Sequence, residues 1–272
     1  MKSRNLASSP YIVWSILFIV FPIGLVCYFA FVNSDGGFTI ENFSQSIRYG
    51  PVIADSIWLS IVATVICLIM AYPFAFLMSR KEKKKQTLYL MLLMLPMWLN
   101  FLIRTYAWMT LLEHNGLINK FFAIFGLGPF DMINTEGAVV LGMVYNYLPF
   151  MILPIYSVMT KIDSLVIEAA ADLGCNRFQT FKDVILPLSM PGISTGIIMV
   201  FVPSVSTFAI SRMLGGGSFM MIGDLIEMQF LGNTYNINLG SAISIVLMVI
   251  IIVCMAITNL FHDVESKEGM LL

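Results

Sequence analysis

The feature that most constrains this chain is a series of apolar runs long enough to cross a lipid bilayer. A helix rises 1.5 Å per residue, so about 18 apolar residues or more can span a hydrocarbon core of roughly 30 Å. Six segments reach this length, and the third is interrupted only by Arg104. They are Pro10–Val32, Ser56–Ser79, Thr87–Leu112, Gly137–Thr160, Pro191–Ser211 and Gly240–Phe261. The sequence therefore predicts an all-α, polytopic membrane protein with six transmembrane helices in one domain, residues 1–272.

Composition agrees with this prediction and excludes several other classes. Of the 272 residues 58% are hydrophobic and only 11% are charged, far from the average of soluble proteins. The four cysteines have no paired spacing and the two histidines lie far apart, so we expect no disulfide framework, metal site or cofactor. The sequence lacks a Gly-x-x-x-x-Gly-Lys-Ser/Thr phosphate loop. We therefore expect no catalytic residues and no ATP hydrolysis by this chain.

The positive charges predict the orientation, because lysine and arginine are retained on the cytoplasmic side of a membrane. Eleven of them fall on one side of the predicted spans and four on the other, which places both termini in the cytoplasm. The first group is Lys2, Arg4, Arg80, Lys81, Lys83, Lys84, Lys85, Lys161, Arg177, Lys182 and Lys267; the second is Arg48, Arg104, Lys120 and Arg212. We interpret the cluster Arg80–Lys85 as a topology anchor rather than as a nucleic-acid patch, and we expect membrane lipid but no nucleic acid as a partner.

Between the fourth and fifth spans lies a cytoplasmic segment, residues 161–190, that is too long for a turn and too apolar for a linker. Asp163 is an N-cap residue type, and Gly174 stands where a left-handed C-cap ends a helix of about ten residues. Asn176, with Gln179 three residues later, predicts a capping box for a second helix that Pro187 ends. The small residues of the first helix would let the groove of another protein approach its backbone closely.

This segment resembles the EAA loop of ABC importer permeases over some 26 positions. The matching residues are Glu168, Ala169, Ala170, Ala171, Asp172, Leu173 and Gly174, then Phe181, Val184, Leu186, Pro187, Pro191, Gly192 and Ile193. The resemblance implies the permease fold, with this loop as a coupling helix that sits in a cleft of a cytoplasmic ATPase subunit. It implies that the coupling residues are Glu168, Ala169, Ala170, Asp172, Gly174 and Phe181. The alternative is an ordinary connecting helix that Gly174 merely ends.

Further stretches resemble the spermidine/putrescine permeases, so that the similarity covers most of the chain from about Ser56 onward. They are Asn100–Trp108, Gly116–Asn119, Tyr145–Met151 and Gly223–Phe230. The resemblance implies a location in the bacterial inner or plasma membrane. It also implies a second related permease, two ATPase subunits and an extracellular polyamine-binding protein as partners.

Polar and aromatic residues within the spans are the candidates for a polyamine pathway, because a polycation must exchange its water for carboxylates, aromatic faces or amide oxygens. Asn100 and Arg104 lie four residues apart and are predicted on one face of the third span, past a kink expected at Pro96. The predicted pathway or gate residues are Asn100, Arg104, Tyr106, Tyr145, Asn146, Asp224 and Glu227. Interhelical hydrogen bonds, interfacial anchoring and a solvated helix face are the alternative roles for them.

The positive charge of Arg104 leaves the identity of the substrate undecided between a polyamine and an anion. A fixed cation would repel a polyamine and suit an anion such as thiosulfate or phosphate, unless an acidic residue neutralises it. Asp224 and Glu227, at i and i+3 of a predicted short helix, could supply that partner. An importer for an anion or another small solute therefore remains the alternative. An ion-coupled secondary transporter is disfavoured, because the predicted spans contain no Asp or Glu.

Overall fold

The computed structural model describes residues 10–33, 36–217, 219–232 and 235–268, with side chains through residue 258. Within these ranges the chain is helical apart from its connections and an isolated antiparallel bridge between Val32 and Phe38. Lys2 and Arg4, which contribute to the predicted orientation, lie outside the described residues, as does the side chain of Lys267. The all-α prediction is confirmed for the described part of the chain.

Long helices alternate with short ones that sit at their ends. Three of the junctions are continuous: π turns lie within longer helices at Ile16–Val20 and Thr180–Ile185, and a 3₁₀ turn, Ile47–Tyr49, joins Glu41–Ser46 to Gly50–Ser79. In chain order the helices are α1 Pro10–Ala30, α2 Glu41–Ser46, α3 Gly50–Ser79, α4 Lys83–Met94, α5 Phe101–Leu112, α6 Leu117–Ile124, α7 Glu136–Met159, α8 Ser164–Asp172, α9 Arg177–Ser206, α10 Ala209–Leu214, α11 Ile222–Leu231 and α12 Ile237–Glu268.

Five helical stretches of the described residues are long and apolar enough to cross a membrane, and they contain α1, α3, α7, α9 and α12. A sixth span is built from two pieces, Lys83–Trp98 and Phe101–Ile124, whose axes differ by 86°. The six-span prediction is confirmed in this form. Pro96 lies in the 3₁₀ turn Leu95–Trp98, and Leu99 is extended, so the backbone changes direction more sharply than the expected kink.

The core lies where α3, α7 and α9 pack together. Cys67 of α3 and Val144 of α7 are in contact, and the hydroxyl groups of Tyr72 in α3 and Ser189 in α9 are hydrogen-bonded at 2.9 Å. Fully buried methionines fill the space between the helices. They are Met143, Met151 and Met159. Helix α1 packs against α12, outside this bundle. The helices α3, α7 and α9 therefore form the centre of the molecule.

Contacts between helix ends define two faces of the bundle. At one end, the Tyr156 hydroxyl donates a hydrogen bond of 2.9 Å to Gln86, which brings the turn Arg80–Glu82 beside the segment 161–190. We call this end the basic face. At the other end, the Asn134 amide donates to the Leu214 carbonyl at 2.8 Å, and the Ile222 amide donates to the Ser56 hydroxyl at 2.8 Å. We call that end, which carries α10 and α11, the opposite face.

Glycine permits the close approach of α9 to α7. A Cβ atom on Gly192 would lie 2.8 Å from the carbonyl oxygen of Pro154 and 2.9 Å from the Cα of Ile155. One turn later, a Cβ atom on Gly196 would lie 2.6 Å from the Met151 sulfur. The first clash involves backbone atoms, which cannot move without shifting the helix. Small residues are the usual way for membrane helices to pack this closely.

Replacing Gly192 with alanine is expected to destabilise the protein by about 1–3 kcal/mol, because the added methyl group forces α9 away from α7. Thermal unfolding of the purified protein in detergent measures the change. Gly24→Ala is the matched control, since Gly24 also lies in a membrane-spanning helix but nothing lies within 4 Å of its added Cβ. An equal response of the two variants would contradict the close packing of α7 and α9.

Candidate functional site

The segment 161–190 forms two helical pieces whose ends are held by their own side chains. The Asp163 carboxylate accepts a hydrogen bond from the Leu165 amide at 3.0 Å, and α8 begins there. Gly174 ends it with a φ of +87°, a conformation that glycine adopts without strain. Asn176 and Gln179 then form a reciprocal capping box. The predicted caps are therefore confirmed, and they make this segment locally rigid.

The second helical piece does not end where the sequence suggested. Pro187 was predicted to terminate it, but the helix runs on through Pro187 and Pro191 as α9. The π turn Thr180–Ile185 directly precedes Pro187, where a proline would otherwise disturb regular i to i−4 bonding. The predicted end of the second helix at Pro187 is thus wrong, because this helix is the first part of the fifth span.

Large apolar side chains point outward from this segment. Leu165 is 65% exposed, Leu173 86% and Phe178 71%, and the acidic residues Glu168 and Asp172 are also exposed. We call these five residues the docking surface. Sequence reasoning did not place Leu165, Leu173 and Phe178 among the coupling residues, although large apolar residues in a short exposed loop are a signal that could have identified them.

The predicted coupling residues divide between the outside and the inside of the protein. Glu168, Ala169, Asp172 and Gly174 are exposed. Ala170 is only 7% exposed, so its side chain faces the bundle. Phe181 is half-buried and meets Tyr72 of α3 edge to face, with ring centroids 5.6 Å apart. Phe181 therefore contacts α3, Ala170 is buried, and neither forms part of the docking surface.

Asn100 caps a helix at the break in the third span. Its side-chain oxygen accepts a hydrogen bond of 2.8 Å from the Leu102 amide, and its carbonyl accepts one from the Arg104 amide. Asn100 is thus the N-cap residue of α5 and Arg104 lies one helical turn later, so their shared role in the pathway stays a prediction. The extended Leu99 before Asn100 separates α5 from the preceding 3₁₀ turn.

Arg104 does not meet the acidic partners proposed for it. Its side chain is half-buried, and its Nε has no hydrogen-bond partner among the described residues. Glu227 is instead bound by both terminal nitrogens of the Arg212 guanidinium, which bridges α10 to α11. Sequence reasoning missed this pair because Arg212 and Glu227 come together only when the loop between the two helices folds back.

Asp224 lies beneath this ion pair and is only 6% exposed. Its Oδ2 accepts hydrogen bonds from the Ser211 hydroxyl at 2.6 Å and the Met221 amide at 2.9 Å. Burial raises the pKa of the Asp224 carboxyl above its ordinary value, and the hydrogen bonds from Ser211 and Met221 only partly oppose this effect. The Asp224 carboxyl group therefore joins α10 to the start of α11 by hydrogen bonds, but burying its negative charge reduces the stability of the folded protein.

The remaining predicted pathway residues lie on α5 and α7. Tyr145 meets Trp108 of α5 with ring centroids 5.4 Å apart, whereas Tyr106 is exposed. Asn146 is 2% exposed and donates a hydrogen bond of 2.9 Å to the Gly142 carbonyl of its own helix. Its side-chain oxygen has no partner in the described part of the chain. The structure thus brings Tyr145 to α5 but encloses the adjacent Asn146 within the bundle.

The described residues contain no group of three or more His, Cys, Asp and Glu side chains arranged to hold a metal ion. The candidate functional regions are instead two. One is the docking surface at the basic face, and the other is the cluster of Arg212, Asp224 and Glu227 at the opposite face. Helix α9 begins beside the docking surface and ends one residue before Thr207, where α10 follows. One helix therefore connects the two regions.

Asp224→Asn is expected to keep or raise the thermal stability of the protein at pH 7, because the amide oxygen can accept the same hydrogen bonds without a buried charge. The folded-state pKa of Asp224 is raised, so the wild-type protein loses stability relative to this variant as the pH rises through that pKa. Asp224→Ala leaves the Ser211 hydroxyl and the Met221 amide unpaired, at a cost of about 1–3 kcal/mol. Thermal unfolding between pH 4 and pH 8 compares the three proteins, and equal losses in both variants would contradict this account.

Comparison with known proteins identifies close relatives over nearly the whole chain. Residues 68–266 match the family described as "Binding-protein-dependent transport system inner membrane component". The spermidine/putrescine transport system permease protein PotB of Haemophilus influenzae is 42% identical over 247 residues, covering 87% of this chain and 86% of the relative. PotB of Escherichia coli is 36% identical over 247 residues, covering 87% of this chain and 90% of that protein.

Solved structures share the same architecture at low sequence identity. A chain of a bacterial ABC transporter involved in the import of the acidic polysaccharide alginate has a TM-score of 0.80 and 17% identity, over 98% of this chain and 96% of that chain. This likeness shows the fold alone. Taken with the family match and the 42% identical relative, it establishes that the chain belongs to the binding-protein-dependent transport system inner membrane component family and has the multi-pass fold of an ABC importer permease.

Proposed function

We propose that this chain is a transmembrane subunit of an ATP-driven importer that carries polyamines such as spermidine and putrescine into the cell. The observation that carries the proposal is the capped, outward-facing docking surface, in a chain that is 42% identical to a spermidine/putrescine permease. The basic face is cytoplasmic in this proposal, because five of the eleven positive residues on that side cluster in residues 80–85.

The docking surface is suited to contact a cytoplasmic ATPase subunit. Leu173 and Phe178 supply apolar area on either side of Gly174, and Glu168 and Asp172 supply charge beside it. Exposed apolar residues rimmed by polar ones are typical of protein interfaces. A partner that binds here would hold a segment whose caps keep it in one conformation, so movement of the partner would displace the segment as a unit.

Movement of the docking surface would reach the membrane through two connections. Phe178 of the docking surface lies in the first turn of α9, and the π turn Thr180–Ile185 continues that helix into the fifth span without a flexible linker. Phe181 packs on Tyr72, and the Tyr72 hydroxyl meets Ser189, so α3 is held against the same part of α9. A displacement at the basic face would therefore tilt α9, whose other end lies next to the Asp224 cluster. This is how the chain would couple ATP hydrolysis by its partner to opening on either side.

The complete transporter would contain a second related permease, two ATPase subunits and an extracellular polyamine-binding protein. One solved structure that shares the fold is of a bacterial alginate ABC transporter in complex with a periplasmic protein bound to an alginate pentasaccharide. The opposite face of our chain, with α10 and α11, would receive the binding protein. Hydrolysis of ATP would take place in the ATPase subunits.

The pathway would begin at the carboxylates of the opposite face. Glu227 and Asp224 are the acidic residues of α11, and a polyammonium ion needs such groups to replace its water. The Trp108 and Tyr145 pair would offer aromatic faces to the alkylammonium chain, and Asn146 would offer its unpaired amide oxygen. Asn100, Arg104 and Tyr106 would line or gate the same route from the broken span.

Arg104 supports a second candidate function, import of an anion. Its Nε has no acceptor among the described residues, and a cation in this position would attract thiosulfate or phosphate. Uptake of labelled spermidine and thiosulfate by cells with and without this chain, with its partner subunits present, separates the two functions. Spermidine uptake that depends on the chain supports the polyamine proposal, whereas uptake of thiosulfate alone overturns it.

Gly174→Val is expected to uncouple ATP hydrolysis from transport, because a β-branched residue cannot hold a φ of +87° without strain. The ratio of ATP hydrolysed to substrate imported, measured in reconstituted vesicles, should rise several-fold. Gly174→Asn is the matched control, since asparagine tolerates the left-handed conformation and nothing lies within 4 Å of the added Cβ. Normal coupling in the valine variant would count against the docking model.

Glu227→Lys is expected to reduce spermidine uptake by about tenfold or more without preventing assembly, because it replaces a carboxylate at the start of the pathway with a positive charge. Initial uptake rates over a range of spermidine concentrations measure the effect. The double variant Arg212→Glu, Glu227→Arg restores an ion pair between α10 and α11 with its polarity reversed. Full recovery in the double variant would mean that the pair is only structural and that Glu227 does not serve the substrate.

A further inference from the structure

A groove opens between α3 and α4 at the basic face. Its walls are Phe74, Leu77 and Met78 from α3 and Tyr89 from α4, and Lys81 of the connecting turn lies at its rim. The groove has a volume of about 270 Å³. Phe74 and Leu77 are exposed although both are large and apolar. This combination of an apolar interior and a cationic rim plays no part in the proposed route of the substrate.

The turn beside the groove is held in place by one glutamine. The Gln86 amide nitrogen donates to the Ser79 carbonyl at 3.0 Å and to the Lys81 carbonyl at 2.7 Å. Its oxygen accepts a hydrogen bond of 2.9 Å from the Tyr156 hydroxyl of α7. Because the two backbone carbonyls of the turn are bound to Gln86, the rim is fixed to the bundle core. The groove is therefore formed before anything enters it.

The charge around the rim is strongly positive. Residues 80–85 contain five basic residues and one acidic residue, Glu82, and five minus one leaves a formal charge of +4. Glu82 lies 3.8 Å from Lys85, and Arg80 stands over the Phe76 ring at 5.6 Å. Lys81, Lys83 and Lys84 are exposed and have no acidic partner among the described residues. Lys81 thus lines the apolar groove, and the exposed Lys83 and Lys84 follow it at the start of α4.

Helix α3 also carries an exposed apolar stripe outside the groove. Trp58, Ile61, Val65 and Ile69 recur at helical spacing on the outer side of that helix, and all are exposed. In a protein that crosses the membrane, such a stripe without polar residues is the part of a helix that suits lipid chains. Phe74 and Leu77 extend the exposed apolar surface of α3 to the level of the basic turn.

We propose that this groove is a binding site for an anionic phospholipid of the membrane leaflet at the basic face. One acyl chain lies against Phe74, Leu77 and Tyr89, and the phosphate group is bound by Lys81 and Lys83. Clusters of four to eight basic residues at the end of a membrane helix attract anionic headgroups. A zwitterionic lipid fits the apolar walls but gains less from the lysines, so the site is selective for net negative charge. The proposal does not depend on the identity of the transported substrate.

Native mass spectrometry of the full chain, purified with its co-expressed subunits, tests the proposal. The complex is incubated with phosphatidylglycerol or phosphatidylcholine of the same acyl composition, and the lipid retained on the permease is counted. Phosphatidylglycerol should be retained about tenfold better. Lys81→Gln with Lys83→Gln should abolish this preference, while Arg48→Gln with Lys120→Gln, which removes two charges at the opposite face, should leave it unchanged. Equal retention of both lipids, or equal effects of the two double variants, overturns the proposal.

Two further measurements at Leu77 separate the groove from a general attraction of charge. Leu77→Trp fills the apolar wall and keeps every lysine, so it should reduce retention of both lipids; unchanged retention overturns the groove as the site. A photo-reactive phenylalanine analogue at Leu77 should capture phospholipid in phosphatidylglycerol vesicles. Capture of the second permease or of an ATPase subunit would mean that protein covers the groove, which also overturns the proposal.

Discussion

The structure depends on the rule that a backbone inside a membrane must satisfy its own hydrogen bonds. Where the described helices break, a side chain or a neighbouring element supplies the missing partners. Asn100 accepts the Leu102 amide at the break in the third span, and the Ser56 hydroxyl accepts the Ile222 amide where α11 begins. Gly223 then lies so close to the Ser206 and Thr207 carbonyls that a Cβ would be 2.5 Å from each. The irregular segments are therefore tied to the bundle.

Helix α9 relates these constraints to function, because both ends of it are held by specific contacts. Near its start, Ser189 meets Tyr72 and Gly192 packs on Pro154. Near its end, the Pro203 carbonyl accepts a hydrogen bond from Tyr147, and Gly223 lies against the carbonyls of Ser206 and Thr207. These contacts hold both ends of α9 against neighbouring helices. In the proposed importer, they would let a partner at the docking surface act on the Asp224 cluster through α9.

Much of the fold and part of the site could be predicted from the chain alone. Long apolar runs predicted the spans, because their length is set by the thickness of the bilayer. Asp163, Gly174 and Asn176 predicted helix ends correctly, because caps depend on residues a few positions apart. Pro187 misled the prediction, because a π turn before it allows the helix to continue. Phe181 resembled a contact residue in sequence, but its packing on Tyr72 of α3 is a tertiary property.

The distinction is therefore between local and long-range interactions. The sequence by itself determined the number of spans, the positions of the helix caps and the asymmetry of positive charge, since each depends on composition or on neighbours within about one helical turn. Only the tertiary structure decided that Glu227 pairs with Arg212 instead of Arg104, that Asp224 is buried, and that Leu173 and Phe178 face outward. Those outcomes depend on how helices distant in sequence pack, and no local pattern encodes which side chains meet when they do.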